Sequence, residues 1–514
     1  VVKDSVYITT PIYYVNDIPH IGHCYTTIIA DILARFYRLR GKDVFFLTGT
    51  DEHGQKIEKA AEAKGITPKE LVDSVVLRFK ELWVKLNISN DRFIRTTDIE
   101  HQEIVKDTIK QVYDNGYIYL GSYEGLYCRP CEAYFTETQL VDGKCPDCGR
   151  EVIMLQEEAY FFRLSEFQQK ILDHIKKVPD FVLPESRKNE VISFVESGLT
   201  DLCISRTTIS WGIEFPQLEN TEKKHYVYVW FDALLNYLTG IKYKKDNAFF
   251  ERYWPASVHL IGKDILKFHA VIWPAMLMAM GVEVPEHVFG HGFIYQGGEK
   301  MSKSKGNVLD PFAIIDEYGV DPFRYYISRE MVFGLDGSYT DETMKQRFNS
   351  DLANDYGNLL NRTLNMTKKY FDLKVPSAND ALFSEEELGL KKMVIALESS
   401  IPAKIDAFKL SIALEEIFTV IRRANKFVEE MAPWTLQKEG NMEKLATVMV
   451  HLIETLRIVT AWLSPFMPTV TALFYKQLNI SEEERLQNPF TWGFFTKDRM
   501  LNQPEPIFPR KQCI

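Results

Sequence analysis

An alternation of short apolar strands with amphipathic helices limits the folds open to this chain more than any other feature. Residues 6–14, "VYITTPIYY", are rich in β-branched and aromatic side chains and read as a buried strand. A helix is predicted from Gly22 to Arg40, with Ile28, Ile29, Ile32, Leu33 and Phe36 at helical spacing and Gly41 as its stop. "DVFFLTGTDEHG", residues 43–54, is a second short apolar strand ending in a glycine-bearing turn. Strand, helix, strand, helix in that order favours a parallel sheet with right-handed crossovers. Ligands of such sheets sit beyond the carboxyl ends of the strands, the edge at which His20, Gly22, His23 and Asp51 fall.

The alternation stops near residue 117. From there, "YIYLGSYEGLYCRPCEAYFTETQLVDGKCPDCGREV" reads as short strands and turns around four cysteines, and mixed structure continues to residue 223. The α/β character resumes with "HYVYVWFDALLNYL" (225–238), "SVHLIGKDILKFHAVIWPAMLMAMG" (257–281) and "HVFGHGFIYQGG" (287–298). From residue 341 the pattern is almost wholly helical. The expected fold class is therefore α/β, a Rossmann-type parallel sheet split by an insertion and followed by an all-α bundle. The corresponding segments are 1–117 and 224–298 for the two halves of the sheet, 118–223 for the insertion, 299–340 for a loop and linking region, and 341–514 for the helices.

Composition narrows the setting but not the chemistry. A length of 514 residues, 46% of them hydrophobic, is ordinary globular material. No uninterrupted apolar stretch approaches the ~20 residues needed to cross a bilayer, and the first residues lack a signal-peptide layout. Seven cysteines, an odd count, fit a reducing compartment, so the cytoplasm is expected. The formal net charge of -10 argues against a general nucleic-acid coat protein but leaves room for a local basic surface.

Three motifs carry chemistry. Cys128-x2-Cys131 and Cys145-x2-Cys148, thirteen residues apart, match a four-thiolate zinc knuckle. Such a closed shell leaves no place for substrate, so a structural metal is expected; Cys24, Cys203 and Cys513 have no such partners in the sequence. "GGEKMSKSKGN" (297–307) alternates Lys300, Lys303 and Lys305 with Ser302 and Ser304 between glycines, a loop suited to phosphates, although its spacing is not that of a Walker loop. In "YYVNDIPHIGHCYTT" (13–27), His20 and His23 flank Gly22 at the mouth of a helix. Those imidazoles alone fit metal binding, base catalysis, phosphate contact or simple helix capping.

Taken together, "HIGH" at 20–23 and "KMSKS" at 300–304 reproduce letter for letter the two signatures of the class I aminoacyl-tRNA synthetases, which the chain resembles. The resemblance is nearest to the methionyl-tRNA synthetase family, of the bacterial type with a zinc knuckle. It runs over essentially the whole chain, through "LTGTDEHGQK", "DLCISRTTISWGI", "YVWFDALLNYL", "IGKDILKFHAVIWPAML" and "GFIYQGGEKMSKSKGN". The insertion of about a hundred residues is far shorter than the hydrolytic editing insertions of leucyl, isoleucyl and valyl relatives.

The resemblance implies a methionine–tRNA ligase: ATP and Mg2+ activate L-methionine as the adenylate with release of pyrophosphate, and the acyl group passes to the 3′ end of tRNA(Met). It implies that His20, Gly22 and His23 meet the ATP phosphates at a helix N-terminus, with Lys300, Ser302, Lys303 and Ser304 closing on them and Lys263 and Asp264 meeting the nucleotide. Asp51 is expected to pair with the methionine ammonium, with Arg206 near the reacting groups. Ile12, Tyr14, Trp230, Ala233, Leu234, Tyr237, Ile265 and His269 would enclose the thioether, for which aromatic walls are suited. In the helical part, Asn358 and Arg362, four apart on one helix face, and Trp434 are expected to read the CAU anticodon. A monomer is expected, with zinc on Cys128, Cys131, Cys145 and Cys148.

Three other readings compete. A cysteinyl or valyl synthetase is disfavoured by the pocket residues and the short insertion. A small-molecule adenylyltransferase leaves the long helical part without a role. A non-catalytic RNA-binding relative does not require Asp51, Lys300 and Lys303.

Overall fold

The computed structural model describes residues 4–15, 18–128, 133–135, 140–145, 149–221, 223–297, 299–300 and 309–511. The chain forms two compact units that interleave along the sequence. The first comprises Val1–Pro19, Asp43–Glu81 and Asn90–Gly290; the second comprises His20–Lys42, Leu82–Ser89 and His291–Ile514.

The first unit is built on a six-stranded sheet in the order Arg92–Arg95, Asp43–Asp51, Ser5–Tyr14, Val258–Gly262, Val288–His291, Val182–Leu183. Ser5–Tyr14 pairs in parallel with Asp43–Asp51 on one side and with Val258 and His259 on the other. The strand order reverses between Ser5–Tyr14 and Val258–Gly262, the kind of switch point where open α/β sheets take their ligands. Pro11 sits inside the first strand, and the register with its neighbour shifts between Thr9 and Ile12. A proline has no N–H to give the ladder, so a shift at this point re-aims Ile12, Tyr13 and Tyr14 without leaving a broken hydrogen bond. At the other side of Asp43–Asp51, a Cβ on Gly49 would lie 2.1 Å from the Ile94 carbonyl oxygen. Only glycine allows the strand Arg92–Arg95 to come so close.

One edge strand, Val182–Leu183, comes from within the segment 118–223 and pairs in parallel with Val288 and Phe289. The rest of that segment carries a four-stranded antiparallel sheet. Its strands were expected to be short, but Ile118–Cys128 and Ile153–Phe162 pair continuously from Ile118↔Phe162 to Tyr127↔Ile153. Cross-strand aromatic contact helps to hold the register: Tyr119 and Phe161 stack with centroids 5.5 Å apart.

The second unit holds the helix Ile21–Leu39, the helices Pro311–Tyr318 and Val320–Glu330, and a bundle that begins at Asp341. In the bundle, a π-helical stretch, Phe348–Gly357, leads into Asn358–Phe371. Met442–Leu463, at 22 residues and with an apolar window of mean hydropathy 1.4, is long and apolar enough to span a bilayer, although Glu443, Lys444, Glu454 and Arg457 interrupt it, so the expectation of no uninterrupted apolar stretch stands. Its apolar window is wholly buried, and its charges, Glu454 and Arg457, pair at 3.0 Å, as befits the central helix of a bundle.

A second buried ion pair joins Arg324 of Val320–Glu330 to Asp31 of Ile21–Leu39 at 2.7 Å, with both side chains fully buried. The same guanidinium donates to the carbonyls of Phe466 (3.0 Å), Leu86 (3.2 Å) and Pro465 (2.9 Å). Asp31 also accepts the main-chain N–H of Ser89 at 2.6 Å. Four of the five guanidinium N–H groups and both carboxylate oxygens are thereby engaged, close to the condition for burying charge.

Candidate active site

In the first unit, Asp51 stands at the carboxyl end of its strand, 8% exposed, and its Oδ1 has no hydrogen-bond partner among the described residues. Burial raises its pKa well above the ordinary carboxylate range, and the charge of Asp232 adds to the rise; the main-chain N–H of His53 opposes it. A buried carboxylate oxygen without a partner is costly in the empty protein, and a cationic ligand removes that cost. Around it, the Tyr14 hydroxyl donates to the His53 carbonyl at 3.0 Å. Trp211 Nε1 donates to the Glu52 carbonyl at 2.6 Å. Glu52 itself is neutralised by Arg95, whose Nε and Nη2 donate at 2.7 and 2.9 Å.

The expected thioether walls divide by depth. Ala233, Leu234, Tyr237 and His269 are buried, whereas Ile12, Tyr14, Trp230 and Ile265 are half-buried. His269 Nδ1–H donates to the Ile265 carbonyl at 3.0 Å, which leaves Nε2 to accept the Tyr237 hydroxyl at 2.7 Å. Burial drives the His269 pKa down to about 4, so the ring is neutral and its tautomer is fixed by these two bonds. Trp230 stacks on Phe268 with centroids 3.8 Å apart and meets His269 edge-on at 6.2 Å.

Arg206 makes its polar contacts within its own hairpin. Its Nη1 donates to the Ser205 carbonyl at 2.8 Å and lies 3.0 Å from Cys203 Sγ, with the guanidinium over the Tyr228 ring. Lys263 and Asp264 open a short 3-10 turn directly after the strand Val258–Gly262.

In the second unit, His20 is the N-cap of Ile21–Leu39, and its extended backbone (φ -131°) lets Nδ1 accept the Gly22 N–H at 3.1 Å. His23 Nδ1 in turn accepts the His20 N–H at 3.1 Å, and the two rings stack with centroids 3.9 Å apart. This is a capping box made of imidazoles rather than hydroxyl and carboxylate. Burial lowers the pKa of both rings, and the neighbouring His20 lowers that of His23 further. With each Nδ1 committed as an acceptor, the proton of each neutral ring resides on Nε2. A Cβ on Gly22 would sit 3.0 Å from His20 Cε1, so the glycine makes room for the folded-back ring. Nearby, His291 Nδ1–H donates to the Gly292 carbonyl at 2.7 Å and Nε2 accepts the Thr26 hydroxyl at 2.7 Å.

Further along the same unit, Arg362 donates to Glu429 at 2.5 Å, and Asn358 is exposed at the start of its helix. Glu429 is near the end of Leu410–Met431, and Trp434, 45% exposed, lies on the following helix Pro433–Lys438. The backbone of Lys300 forms a short strand with Tyr295, its side chain lying outside the description. Ser302, Lys303 and Ser304, together with Cys131 and Cys148, lie outside the described residues, as does the side chain of Cys128.

Sequence reasoning did not assign His53, His101, Asp232, Phe268 or His291. The first and third stand inside quoted motifs ("TDEHG", "VWFDALL"), but only the fold shows that they meet.

The family described as tRNA synthetases class I (M) matches residues 6–153 and 149–364. Methionine–tRNA ligase of Caldanaerobacter subterraneus subsp. tengcongensis is 49% identical over 514 residues, covering 99% of this chain and 79% of that one. The corresponding ligase of Clostridium perfringens is 51% identical over 515 residues, with 99% and 78% covered. Among solved structures, Mycobacterium tuberculosis methionyl-tRNA synthetase in complex with methionyl-adenylate superposes with a TM-score of 0.92 at 42% identity, covering 98% of this chain and 100% of that one. The chain belongs to the class I tRNA synthetases. Within that class it is a methionine–tRNA ligase, an enzyme of protein synthesis.

Proposed function

We propose that the methionine ammonium binds against Asp51, and that Ile12, Tyr14, Trp230, Ala233, Leu234, Tyr237, Ile265 and His269 select the thioether. The observation that carries this reading is the buried, unpartnered Asp51 oxygen at a strand end. The neutral His269, held by Tyr237 and Ile265, adds a soft, uncharged wall suited to sulfur. Arg206 would turn toward the carboxylate. ATP–pyrophosphate exchange measured with each amino acid in turn tests the reading: methionine alone should support it, and exchange with cysteine or valine in its place would overturn it.

A carboxylate is already a nucleophile, so activation needs no general base; positioning and neutralisation of phosphate charge do the work. The Nε2–H groups of His20 and His23, at the positive end of their helix, are suited to donate to the phosphates. Lys300, Ser302, Lys303 and Ser304 would close on the pyrophosphate, and Lys263 and Asp264 would hold the nucleotide. Mg2+ bound with ATP supplies further charge neutralisation.

Zinc belongs in this reading as a structural ion on Cys128, Cys131, Cys145 and Cys148. Among the described residues no set of three metal-ligating side chains occurs. What supports the ion is the Cys spacing and the local fold at Cys145, which is buried. Its carbonyl accepts the Gly149 N–H at 2.9 Å, and its own N–H donates to the Arg150 carbonyl at 2.9 Å, which fixes the backbone that carries the thiol. Metal analysis should find about one zinc per chain. Cys145→Ser should lower that content far more than it lowers methionine binding.

For tRNA(Met), Asn358, Arg362 and Trp434 are the proposed readers of the anticodon, with 118–223 as the connective insertion and 341–514 as the anticodon-binding part. Arg362 would exchange Glu429 for a base, and the exposed Trp434 offers a stacking face. Trp434→Ala should raise the KM for tRNA by about 5- to 150-fold, the loss of one stacked base, and leave ATP–pyrophosphate exchange unchanged.

A further inference from the structure

Behind Asp51, in the first unit, lies a chain of buried polar groups that the proposed roles above do not use. His53 Nδ1–H donates to Asp232 Oδ2 at 2.7 Å, and His101 Nε2–H donates to Asp232 Oδ1 at 2.7 Å. His101 Nδ1 lies 3.0 Å from the Thr239 hydroxyl. Asp232 is 1% exposed and His101 fully buried. A carboxylate and two imidazoles removed from water in this way cost stability against an apolar filling of equal volume, so their presence calls for an account other than packing.

The account lies in what His53 does with its main chain. Its N–H reaches the Asp51 carboxylate, and its carbonyl accepts the Tyr14 hydroxyl at 3.0 Å. One residue thus orients two of the groups assigned to the substrate, and its ring is held from behind by Asp232 and met edge-on by Trp211 at 5.7 Å. We propose that Asp232, clamped between His53 and His101, is a positioning residue of the amino-group site, fixing through His53 the Asp51 carboxylate against the substrate ammonium and, by the bond to its hydroxyl, the Tyr14 side chain of the adjoining wall. This rests on the assignment of Asp51 to that ammonium.

The charges around the site give the proposal a signature that packing alone would not. Asp51 faces Tyr14 from the neighbouring strand, Glu52 and His53 from its own strand end, and Asp232 from the helix Val229–Leu234. Glu52 is balanced by Arg95. Burial pushes the Asp232 carboxyl up, but the two imidazoles outweigh it and hold the group ionised. After burial, Asp232 is the strongest influence raising Asp51. Neutralising Asp232 therefore lets Asp51 ionise at lower pH while loosening its placement.

The test is ATP–pyrophosphate exchange by the full chain across pH, with methionine and ATP varied separately. Asp232→Asn is expected to raise the KM for methionine about tenfold and leave that for ATP within about twofold. It should also move the acid limb of kcat/KM for methionine down by about half a pH unit or more. An unmoved or raised limb, or a parallel rise of both KM values, overturns the proposal. Should Asp232→Asn fail to fold, a second pair decides. His53→Asn keeps a donor where Nδ1 stood and should hold the methionine KM within about threefold of the parent, whereas His53→Ala should not. Equal behaviour of the two overturns the proposal. If Asp51→Asn leaves the methionine KM intact, the ammonium assignment itself is wrong; if it does not, silent Asp232 and His53 variants refute this inference alone.

Discussion

Asp51→Asn is expected to lower kcat/KM for methionine in ATP–pyrophosphate exchange by about two to three and a half orders of magnitude, while making the ligand-free enzyme more stable. The first effect follows from leaving a buried ammonium without its counter-charge, which costs about 3–5 kcal/mol at about 1.4 kcal/mol per decade. The second follows from the unpartnered Oδ1 and the raised pKa of Asp51. A carboxyl whose folded pKa lies above its unfolded value contributes stability below the unfolded pKa of about 4 and loses it as pH rises through the folded value. The amide does not ionise, so its advantage in melting temperature should be absent near pH 4 and grow toward neutrality. Thermal melts with and without methionine check both halves: methionine should raise the parent melting temperature and leave that of the variant in place. A variant less stable than the parent at neutral pH, or one still stabilised by methionine, would show that Asp51 already has its partner within the protein.

Gly22→Ala is expected to cost about 10²-fold in kcat for exchange, the usual loss when one aligned donor to a developing anion is displaced. The new Cβ would lie 3.0 and 3.1 Å from His20 Cε1 and Nδ1, so the ring must swing out of its cap and carry its Nε2–H away from the phosphates. Stability should hardly move. Losing an N-cap costs about 0.5–2 kcal/mol, and replacing glycine by alanine inside a helix returns about 1 kcal/mol. The methionine KM should stay where it is, because no methionine contact is touched. His20→Asn is the control: the amide oxygen can still cap the helix, but the outward N–H is gone, so the rate should fall without loss of the melting temperature. Unchanged kcat in both variants would assign the imidazoles to capping alone.

The two variants probe what the sequence made legible and what it did not. The central strands were readable because burial on both faces favours β-branched and aromatic side chains, as in Ser5–Tyr14, and the helix after them because its apolar residues recur at helical spacing. The imidazole cap was readable as a motif that fitted four chemistries, and the hydrogen bonds show one of them, the capping. Val182–Leu183 could not be foreseen as an edge strand, since two residues carry no period. Met442–Leu463 hid its apolar length behind a few charges that turn out to pair in the core. The triad at Asp232 was invisible for a deeper reason. Residues 53, 101 and 232 are joined only by the fold, and no local pattern marks a histidine that will meet a carboxylate more than a hundred positions away.

Arg324 and Asp31 constrain the history of this chain as much as its shape. The guanidinium serves three stretches of main chain as well as one carboxylate, and neither partner sees water. Losing Asp31 strands the buried guanidinium at about 3–5 kcal/mol, whereas losing Arg324 leaves Asp31 its second partner, Arg35, at 2.8 Å. Swapping both for oily residues of matching bulk would still take from the carbonyls of Leu86, Pro465 and Phe466 their donor. The arginine is therefore tied to the main chain as well as to its counter-ion, and a descendant lineage that exchanges the couple in step still has a valley to cross.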